Sequence, residues 1–323
     1  MGRCAVMFLI AFYALLPAAA WGELPPVYCG QWGSKGSGPG QFYIANGVSV
    51  GAGGNVYVAD THNYRIQVFT SSGQYVTQWG SRGAAAGQFE LPEGVAVDSD
   101  GNVYVSDYGN HRIQKFTQYG EYVTQWGSQG AGPGKLIYPR AVAVGPGDTV
   151  YVGDAGNYRI QKFTENGVYV MQWGSIGAAP GQFNFPIGVA VDASGSVYVT
   201  DVNNQRVQKF TQYGGYVTQW GSWGVLPGQF YDPCGIAVDA FGGVYVVDVE
   251  NQRVQKFSSN GVFITKWGYL GSEPGYFGYP SYVAVDAGGK VYVSDTYIYR
   301  IQVFCPAPTA VQNVTWGKIK SMF

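Results

Sequence analysis

The chain reads Gly94-Val-Ala-Val-Asp98, then Val103-Tyr-Val-Ser-Asp107, then Arg112-Ile-Gln-Lys-Phe116, and then Tyr122-Val-Thr-Gln-Trp126. In each of these segments apolar residues dominate or alternate with polar ones, as in half-buried or buried strands. Turn-forming Gly, Asn, Asp and Ser residues separate the segments, and none of them shows a helical period. The pattern predicts four short consecutive β-strands.

This unit occurs six times at a constant step of 47 residues, without insertion or deletion. The step is shown by a tryptophan at Trp32, Trp79, Trp126, Trp173, Trp220 and Trp267. An aspartate recurs at Asp60, Asp107, Asp154, Asp201, Asp248 and Asp295. An arginine recurs at Arg65, Arg112, Arg159, Arg206, Arg253 and Arg300. A period of roughly 40 to 50 residues with strand-like content is typical of propeller blades.

The two ends of the repeat region predict how the ring closes. The segment Tyr28-Cys29-Gly30-Gln31-Trp32 matches the fourth strand of a unit, whereas the last unit stops after its third strand at Phe304. The N-terminal strand is therefore expected to complete the last blade. The predicted fold class is all-β: a six-bladed β-propeller of four-stranded antiparallel blades, with the last blade closed by the N-terminal strand.

A tract rich in glycine and proline joins each unit to the next. It reads Gly-Ser-x-Gly-x-x-Pro-Gly-Gln-Phe at Gly33 to Phe42 and again at Gly174 to Phe183. We expect each tract to cross the top of the ring and its aromatic residue to pack between adjacent blades.

The segments outside the repeats predict export. Arg3, the apolar run from Ala5 to Leu16 and the small residues Ala18-Ala19-Ala20 have the order of a secretory signal. The apolar run is shorter than the roughly 20 residues that span a bilayer, so we expect no transmembrane segment. The predicted division is a signal peptide at 1–20, a short leader at 21–26, the propeller at 27–304 and a C-terminal tail at 305–323. We expect an exported monomer.

The charge of the chain argues against nucleic-acid binding. Charged residues make up 12% of the sequence and the net charge is −1, whereas nucleic-acid binding usually needs a basic face. A row of lysines recurs at Lys115, Lys162, Lys209 and Lys256. Because these residues alternate along the third strand, we expect them on a solvated strand face toward the outside of each blade. No nucleic-acid partner is expected.

The segments quoted above, together with Asn110-His-Arg112-Ile-Gln-Lys-Phe116, resemble the NHL repeat, and the resemblance extends from Val27 to Phe304. It implies a six-bladed propeller. It does not imply one function, because NHL propellers occur in RNA-binding ubiquitin ligases, in an amidating lyase, in bacterial sensor kinases and in many exported proteins.

The repeated Asp-x-x-Asn-x-Arg corner has the residues of a structural element. Asp and Asn side chains cap tight turns by binding backbone amides, and arginine can bridge to a carboxylate through two parallel hydrogen bonds. We therefore interpret the six aspartates and six arginines as scaffold, not as a charged site.

Positions that differ between the copies are better candidates for a site. The slot before the first strand of each blade reads Asn46, Glu93, Arg140, Ile187, Cys234 and Ser281. The slot three residues earlier reads Tyr43, Glu90, Ile137, Asn184, Tyr231 and Gly278. We expect these loops to surround the channel mouth on one face, although loops also vary by neutral drift. The candidate ligand contacts are Tyr43, Asn46, Glu93, Arg140, Ile187, Tyr231 and Asp232.

Catalytic residues are not predicted. His62 and His111 are the only histidines and both occupy corner positions, whereas a catalytic zinc usually has three protein ligands. No cofactor is predicted, but calcium is left open, because propeller lactonases hold it with channel carboxylates and amides. The residues that would imitate such a set are Asn46, Glu93, Asn184 and Asp232.

The predicted function is a non-catalytic exported platform that binds a protein, a peptide or a glycan through the variable loop face. The alternative is an extracellular metal-dependent propeller enzyme of the lactonase or lyase type, and an RNA-binding module is less favoured.

The cysteines predict one disulfide. Cys29 takes the slot held by Val76 and Val123 in other copies, and Cys305 takes the slot of Thr117. These two slots belong to one hairpin in an intact blade, and both hold cysteine only where the ring lacks a covalent link. We therefore expect a Cys29–Cys305 bond that latches the ring. Cys234 is expected to be a free thiol near the channel mouth.

Overall fold

The computed structural model describes residues 23–308, which form 24 β-strands in six four-stranded sheets. The predicted signal peptide at 1–20 and the tail beyond residue 308 lie outside the described residues. Residues 23–308 contain no α-helix, only single-turn 3₁₀ helices at some corners. Neighbouring strands are antiparallel, and the innermost strands contact one another in a closed ring. The predicted six-bladed propeller is confirmed.

Five blades are built from consecutive strands that run from the axis outward. Blade 1 contains β2 (Ala45–Val50), β3 (Val56–Asp60), β4 (Arg65–Phe69) and β5 (Tyr75–Trp79). Blade 2 contains β6 (Pro92–Val97), β7 (Val103–Asp107), β8 (Arg112–Phe116) and β9 (Tyr122–Trp126). Blade 3 contains β10 (Pro139–Gly145), β11 (Thr149–Asp154), β12 (Arg159–Phe163) and β13 (Tyr169–Trp173). Blade 4 contains β14 (Pro186–Val191), β15 (Val197–Asp201), β16 (Arg206–Phe210) and β17 (Tyr216–Trp220). Blade 5 contains β18 (Pro233–Val238), β19 (Val244–Asp248), β20 (Arg253–Phe257) and β21 (Phe263–Trp267).

Blade 6 closes the ring by joining the two ends of the repeat region. It contains β22 (Pro280–Val285), β23 (Val291–Asp295), β24 (Arg300–Cys305) and, as its outermost strand, β1 (Val27–Trp32). Val27 lies opposite Cys305 and Trp32 lies opposite Ile301. A disulfide joins Cys29 to Cys305, whose Cα atoms are 5.8 Å apart. The closure by the N-terminal strand and the predicted bond are both confirmed.

Apolar clusters fill the spaces between adjacent blades. Phe89, at the end of the tract that leads into blade 2, is fully buried with Ile66 of blade 1 and Phe116 of blade 2. Fully burying a phenylalanine stabilises the fold by about 2 kcal/mol. The expectation that the tract's aromatic residue packs between blades is met. Gly120 has φ +87°, and the Trp79 ring of the preceding blade lies 2.6 Å from where its Cβ would be, so only glycine fits this turn.

The lysine row is buried, and the expectation of a solvated strand face was wrong. Lys115, Lys162, Lys209 and Lys256 are 4% to 9% exposed. Lys115 lies across from Tyr104, with its Nζ 5.2 Å from the ring centroid, and the other three lysines repeat this cation–π contact. The alternation failed as a guide to exposure because both faces of a blade are covered by its neighbours.

Each of the six corners has the same buried ion pair. In blade 2, Arg112 Nε donates to Asp107 Oδ2 at 2.8 Å, and Asp107 is fully buried. The remaining guanidinium nitrogens donate to backbone oxygens of the incoming tract, including those of Ala84 and Gln88. The pair therefore has one hydrogen bond and not the two parallel ones expected, because the tract carbonyls have no strand partner and take the other donors.

Candidate functional site

The two ends of the propeller are formed by different loops. The corners between the second and third strands of each blade and the tracts between blades lie at one end, which we call the top face. The tight turns between the first and second strands, such as 98–102, lie at the opposite end, the bottom face. Asn110 of a corner donates to the Gly83 carbonyl of a tract at 2.9 Å, so corner and tract form one layer.

A cavity of about 300 Å³ opens at the centre of the top face. We call it the axial pocket, and all six blades contribute to it. Its lining residues are Asn46, Glu93, Arg140, Phe185, Ile187, Val202, Asn203, Asp232, Cys234, Tyr279, Ser281 and Tyr282.

The diverged slot lies inside the innermost strands, not before them as expected. Glu93 is the second residue of β6 and Arg140 the second residue of β10. The pairing of β6 with β7 is irregular between Pro92 and Val95. The strand β6 therefore begins at Pro92, two residues before the apolar run at Gly94 that predicts it. The apolar run marks only the part of the strand whose pairing is regular.

An ion pair between neighbouring blades occupies the pocket. Arg140 Nη1 lies 3.7 Å from Glu93 Oε2, and the Asn46 amide donates to the same oxygen at 3.2 Å. The guanidinium lies between two rings, 5.0 Å from the Tyr108 centroid and 5.3 Å from that of Phe185. Burial raises the pKa of Glu93, an effect that Arg140 opposes. Burial lowers the pKa of Arg140, but Glu93, Tyr282, Tyr108 and Cys234 together outweigh this and the pKa is raised, so the guanidinium stays charged.

Two polar atoms of the pocket lining are buried without a hydrogen-bond partner in the described part of the chain. They are Arg140 Nε and the Tyr282 hydroxyl. Tyr282 lines both the axial pocket and a second cavity of about 180 Å³ that is bounded by the innermost strands. Burial raises the pKa of Tyr282, and the hydroxyl therefore stays protonated and able to donate.

Cys234 is a free cysteine on the pocket wall, near the channel mouth as expected. Burial raises the pKa of its thiol to about 12. Since the thiolate is the reactive species, the side chain behaves at neutral pH as a small apolar group.

The structure brings together five of the seven candidate ligand contacts: Asn46, Glu93, Arg140, Ile187 and Asp232. The other two lie on the rim of the top face and do not line the pocket. Tyr43 is 42% exposed and stacks on Tyr299, with ring centroids 6.3 Å apart. Tyr231 is 43% exposed and meets Trp223 edge-on at 6.3 Å.

The histidines lie on the rim as well. His62 contacts the Tyr43 ring, and His111 Nδ1 accepts a hydrogen bond from the Tyr138 backbone at 3.1 Å. Neither lines the axial pocket. Burial lowers the pKa of His111, so it is neutral at physiological pH.

The residues considered for calcium are only partly brought together. Asn46, Glu93 and Asp232 line the pocket, whereas Asn184 does not. Arg140 lies against Glu93 and its charge opposes a cation at that carboxylate. Among residues 23–308, no group of three or more His, Cys, Asp and Glu side chains is arranged to hold a metal ion. Within the same residues, no helix has the length and apolarity to cross a bilayer.

Sequence reasoning missed Tyr282, and the repeat contained a signal for it. The residue after the diverged slot is glycine in four copies and alanine in one, at Ala141. In the last copy it is Tyr282. The glycine is needed because a Cβ at Gly188 would collide with the Cys234 carbonyl of the next blade. A bulky residue in this slot therefore indicates that the inner wall of blade 6 differs from that of the other blades.

Solved structures similar to this chain share its fold at low identity. A virginiamycin B lyase from Staphylococcus aureus is 15% identical, with 78% of each chain covered and a TM-score of 0.56. A gluconolactonase from Xanthomonas campestris is 13% identical, with 88% of this chain and 99% of that chain covered and a TM-score of 0.63. A chain of a nidogen/laminin complex is 16% identical, with 72% and 82% covered and a TM-score of 0.54. A search of curated proteins found no match.

The family model described as the NHL repeat matches this chain six times, once in each blade. The matched residues are 42–69, 89–116, 136–163, 183–210, 230–257 and 277–304. Together these matches cover just over half of the chain. Each runs from the buried aromatic or leucine residue of a tract to the end of the third strand. The chain belongs to the NHL repeat family.

Proposed function

We propose that this chain is a non-catalytic binding propeller that holds a protein or peptide segment on its top face, with the axial pocket at the centre of the contact. The observation that carries the proposal is the Arg140 side chain, fixed between the Tyr108 and Phe185 rings beside Glu93. It lies at a slot where the copies of the repeat diverge, whereas the scaffold around it is repeated.

The pocket is prepared for a polar group of a ligand. A buried donor without a partner costs about 1–3 kcal/mol, and the pocket lining has two, Arg140 Nε and the Tyr282 hydroxyl. A ligand that brings an acceptor to these donors recovers part of that cost. The two rings also restrict the Arg140 side chain before a ligand arrives. Binding therefore costs less side-chain conformational entropy.

The rim adds contact area of the kind that protein interfaces use. Tyr, Trp and Arg are enriched at interface hot spots, and the top face exposes Tyr43, Tyr231 and Trp223. Stacking fixes several rim rings in advance, as for Tyr279 and Tyr297 at 4.4 Å. A peptide offers both charged groups for the pocket and apolar side chains for this rim, which a glycan does not.

No observation at this site favours an enzymatic function. The similar lyase and lactonase share only the fold with this chain at 15% and 13% identity. The two histidines lie outside the pocket. A chain of a nidogen/laminin complex, by contrast, has the same fold within a protein assembly.

The proposal includes export. The signal-like N-terminus and the Cys29–Cys305 bond support it, because disulfides persist in oxidising compartments.

A photo-cross-linking experiment tests the proposed function. We would place p-benzoylphenylalanine at Tyr231 on the top face or at Phe241 on the bottom face, and irradiate each protein with extracellular fluid of its source. We expect adducts only from position 231, and we expect Arg140→Met to abolish them. Mass spectrometry identifies the adduct. Peptide adducts support the proposal and a sugar adduct supports glycan binding, whereas adducts from position 241 alone, or adducts unaffected by Arg140→Met, would overturn it.

A further inference from the structure

The third residue of every tract occupies an equivalent place on the top face. Each forms an isolated parallel β-bridge with the residue at the end of its own tract, as Lys35 does with Phe42 and Trp223 does with Phe230. All six side chains are exposed to solvent. The scaffold therefore imposes the same environment on all six, and their chemistry is free to differ.

Their chemistry divides the ring into two halves. The tracts that lead into blades 1, 2 and 3 carry Lys35, Arg82 and Gln129. Those that lead into blades 4, 5 and 6 carry Ile176, Trp223 and Leu270, which are 63%, 69% and 71% exposed. Exposed apolar side chains grouped on one side of a protein mark interaction surfaces.

A similar division, interrupted at blade 6, is found at the axis. The slot inside the pocket holds Asn46, Glu93 and Arg140 in blades 1 to 3. In blades 4 and 5 it holds Ile187 and Cys234, whose thiol is uncharged, and in blade 6 it holds the small polar residue Ser281. The amide and charged side chains of this slot therefore lie on the same half of the ring as Lys35, Arg82 and Gln129, whereas the rim slot of Tyr43 is mixed.

Further side chains enlarge the apolar half. The tract into blade 5 exposes Val225 and Leu226, at 66% and 62%, and Tyr231 packs edge-on against Trp223. On the polar half, Lys35 lies over the Tyr43 and Tyr299 rings, 5.3 Å from the latter, and has no carboxylate within ion-pair distance in the described chain. Arg82 is paired with Glu90.

We infer that the partner segment is amphipathic and lies across the top face in one orientation, with its apolar side on blades 4 to 6 and its polar side on blades 1 to 3. An acidic group on the polar side would pair with Lys35. The inference rests on the proposed function and adds the chemistry and the direction of the partner. The apolar side buries area against Ile176, Trp223 and Leu270, and the polar side satisfies the donor at Arg140.

Selection from a random library provides the probe. Phage-displayed peptides of 12 random residues would be selected on the full mature chain, and the enriched peptides synthesised. We expect their apolar and acidic residues to be segregated onto two sides or two halves. The binding constant of each peptide would then be measured against the wild type, Trp223→Gln, Leu270→Gln and Arg140→Met.

The glutamine variants are matched to the fold, because Gln129 occupies the same slot in the tract into blade 3. Phe241→Gln is the control, since Phe241 is 95% exposed on the bottom face. We expect a loss of at least tenfold in affinity for Trp223→Gln and for Arg140→Met, and no change for Phe241→Gln.

The outcomes separate this inference from the proposed function. Peptides that need Arg140 but bind Trp223→Gln and Leu270→Gln as well as the wild type would overturn the inference and leave the proposed function standing. Peptides that bind all top-face variants equally, or a failure to enrich any peptide, would contradict both. Binding to phosphatidylcholine vesicles that Trp223→Gln abolishes, without peptide enrichment, would replace the peptide by a lipid surface and overturn the inference.

Discussion

Arg140 Nη1 and Glu93 Oε2 lie 3.7 Å apart on the innermost strands of neighbouring blades, with side chains 24% and 10% exposed. Placing both charges in a pocket costs desolvation free energy that their mutual attraction does not reliably repay. The neighbouring copies do without such a pair, because Ile187 occupies the next equivalent slot. Under the proposed function, the pair serves ligand recognition and not the stability of the ring.

Removal of Arg140 should expose this cost. Arg140→Met keeps the length of the side chain between Tyr108 and Phe185 but leaves the Glu93 carboxylate without its counter-charge. We expect a loss of about 2–3 kcal/mol in the free energy of unfolding at pH 7, measured by urea denaturation. The double variant Glu93→Gln/Arg140→Met is the control, and we expect it to recover most of the loss.

The same loss should depend on pH. Burial raises the pKa of Glu93 and Arg140 opposes this, so the pKa rises further in Arg140→Met. A carboxyl group whose pKa is higher in the folded than in the unfolded state destabilises the fold above that pKa, and the penalty disappears as the pH falls through it. The difference between Arg140→Met and the wild type should therefore shrink in acid. A difference that grows in acid would contradict the assignment to Glu93.

The disulfide should control the stability of the closed ring. It joins residues 276 positions apart, and the chain-entropy model gives a contribution of up to about 5 kcal/mol for such a loop. We expect Cys29→Val/Cys305→Thr, which restores the residues of other copies, to unfold at lower denaturant concentration. Hydrogen exchange should show β1 opening first. A reductant should destabilise the wild type and not this variant; equal sensitivity of both would count against the latch.

Cys234 should react slowly despite its place on the pocket wall. With a pKa of about 12, almost none of it is thiolate at pH 8, and we expect alkylation by iodoacetamide at least about a hundredfold slower than for an ordinary exposed cysteine. The protein unfolded in urea is the control and should react at the ordinary rate. Fast labelling of the folded protein would show that the pocket is more hydrated than the structure indicates.

The corner arginines should not tolerate lysine. Arg112 donates to Asp107, to the tract carbonyls of Ala84 and Gln88, and to Gln125. Lysine cannot reach this planar set of acceptors, so Arg112→Lys should cost about 3 kcal/mol in the free energy of unfolding. Arg82→Lys is the matched control, because Arg82 is an exposed partner of Glu90; its cost should stay below about 0.5 kcal/mol.

The ring could be predicted from sequence because every copy keeps the same spacing. The step of 47 residues fixed the number of blades, and the unmatched strand at Cys29 and the missing one after Phe304 fixed the closure. The disulfide followed from the same comparison, since two slots of one hairpin hold cysteine only there. These inferences need the register of the repeat and no knowledge of side-chain direction.

The site needed information that the pattern lacks. Alternation placed Lys115 on a strand face correctly, but the pattern cannot say that a neighbouring blade covers that face. The divergent slot identified Glu93 and Arg140, yet their contact depends on how adjacent innermost strands approach at the axis. Tyr43 varied with them and lies on the rim, because a varying loop residue is not thereby directed toward the axis.

The affinity of the captured partner for Arg140→Met, beside Phe241→Gln, tests the central claim most directly. Isothermal titration with the partner identified by cross-linking would be performed at a temperature where both variants are folded. The account predicts at least a tenfold loss of affinity for Arg140→Met, because the variant removes the cation at the centre of the top face, and no change for Phe241→Gln. Unchanged affinity for Arg140→Met together with weakened binding by Phe241→Gln would place the partner on the bottom face and contradict the account.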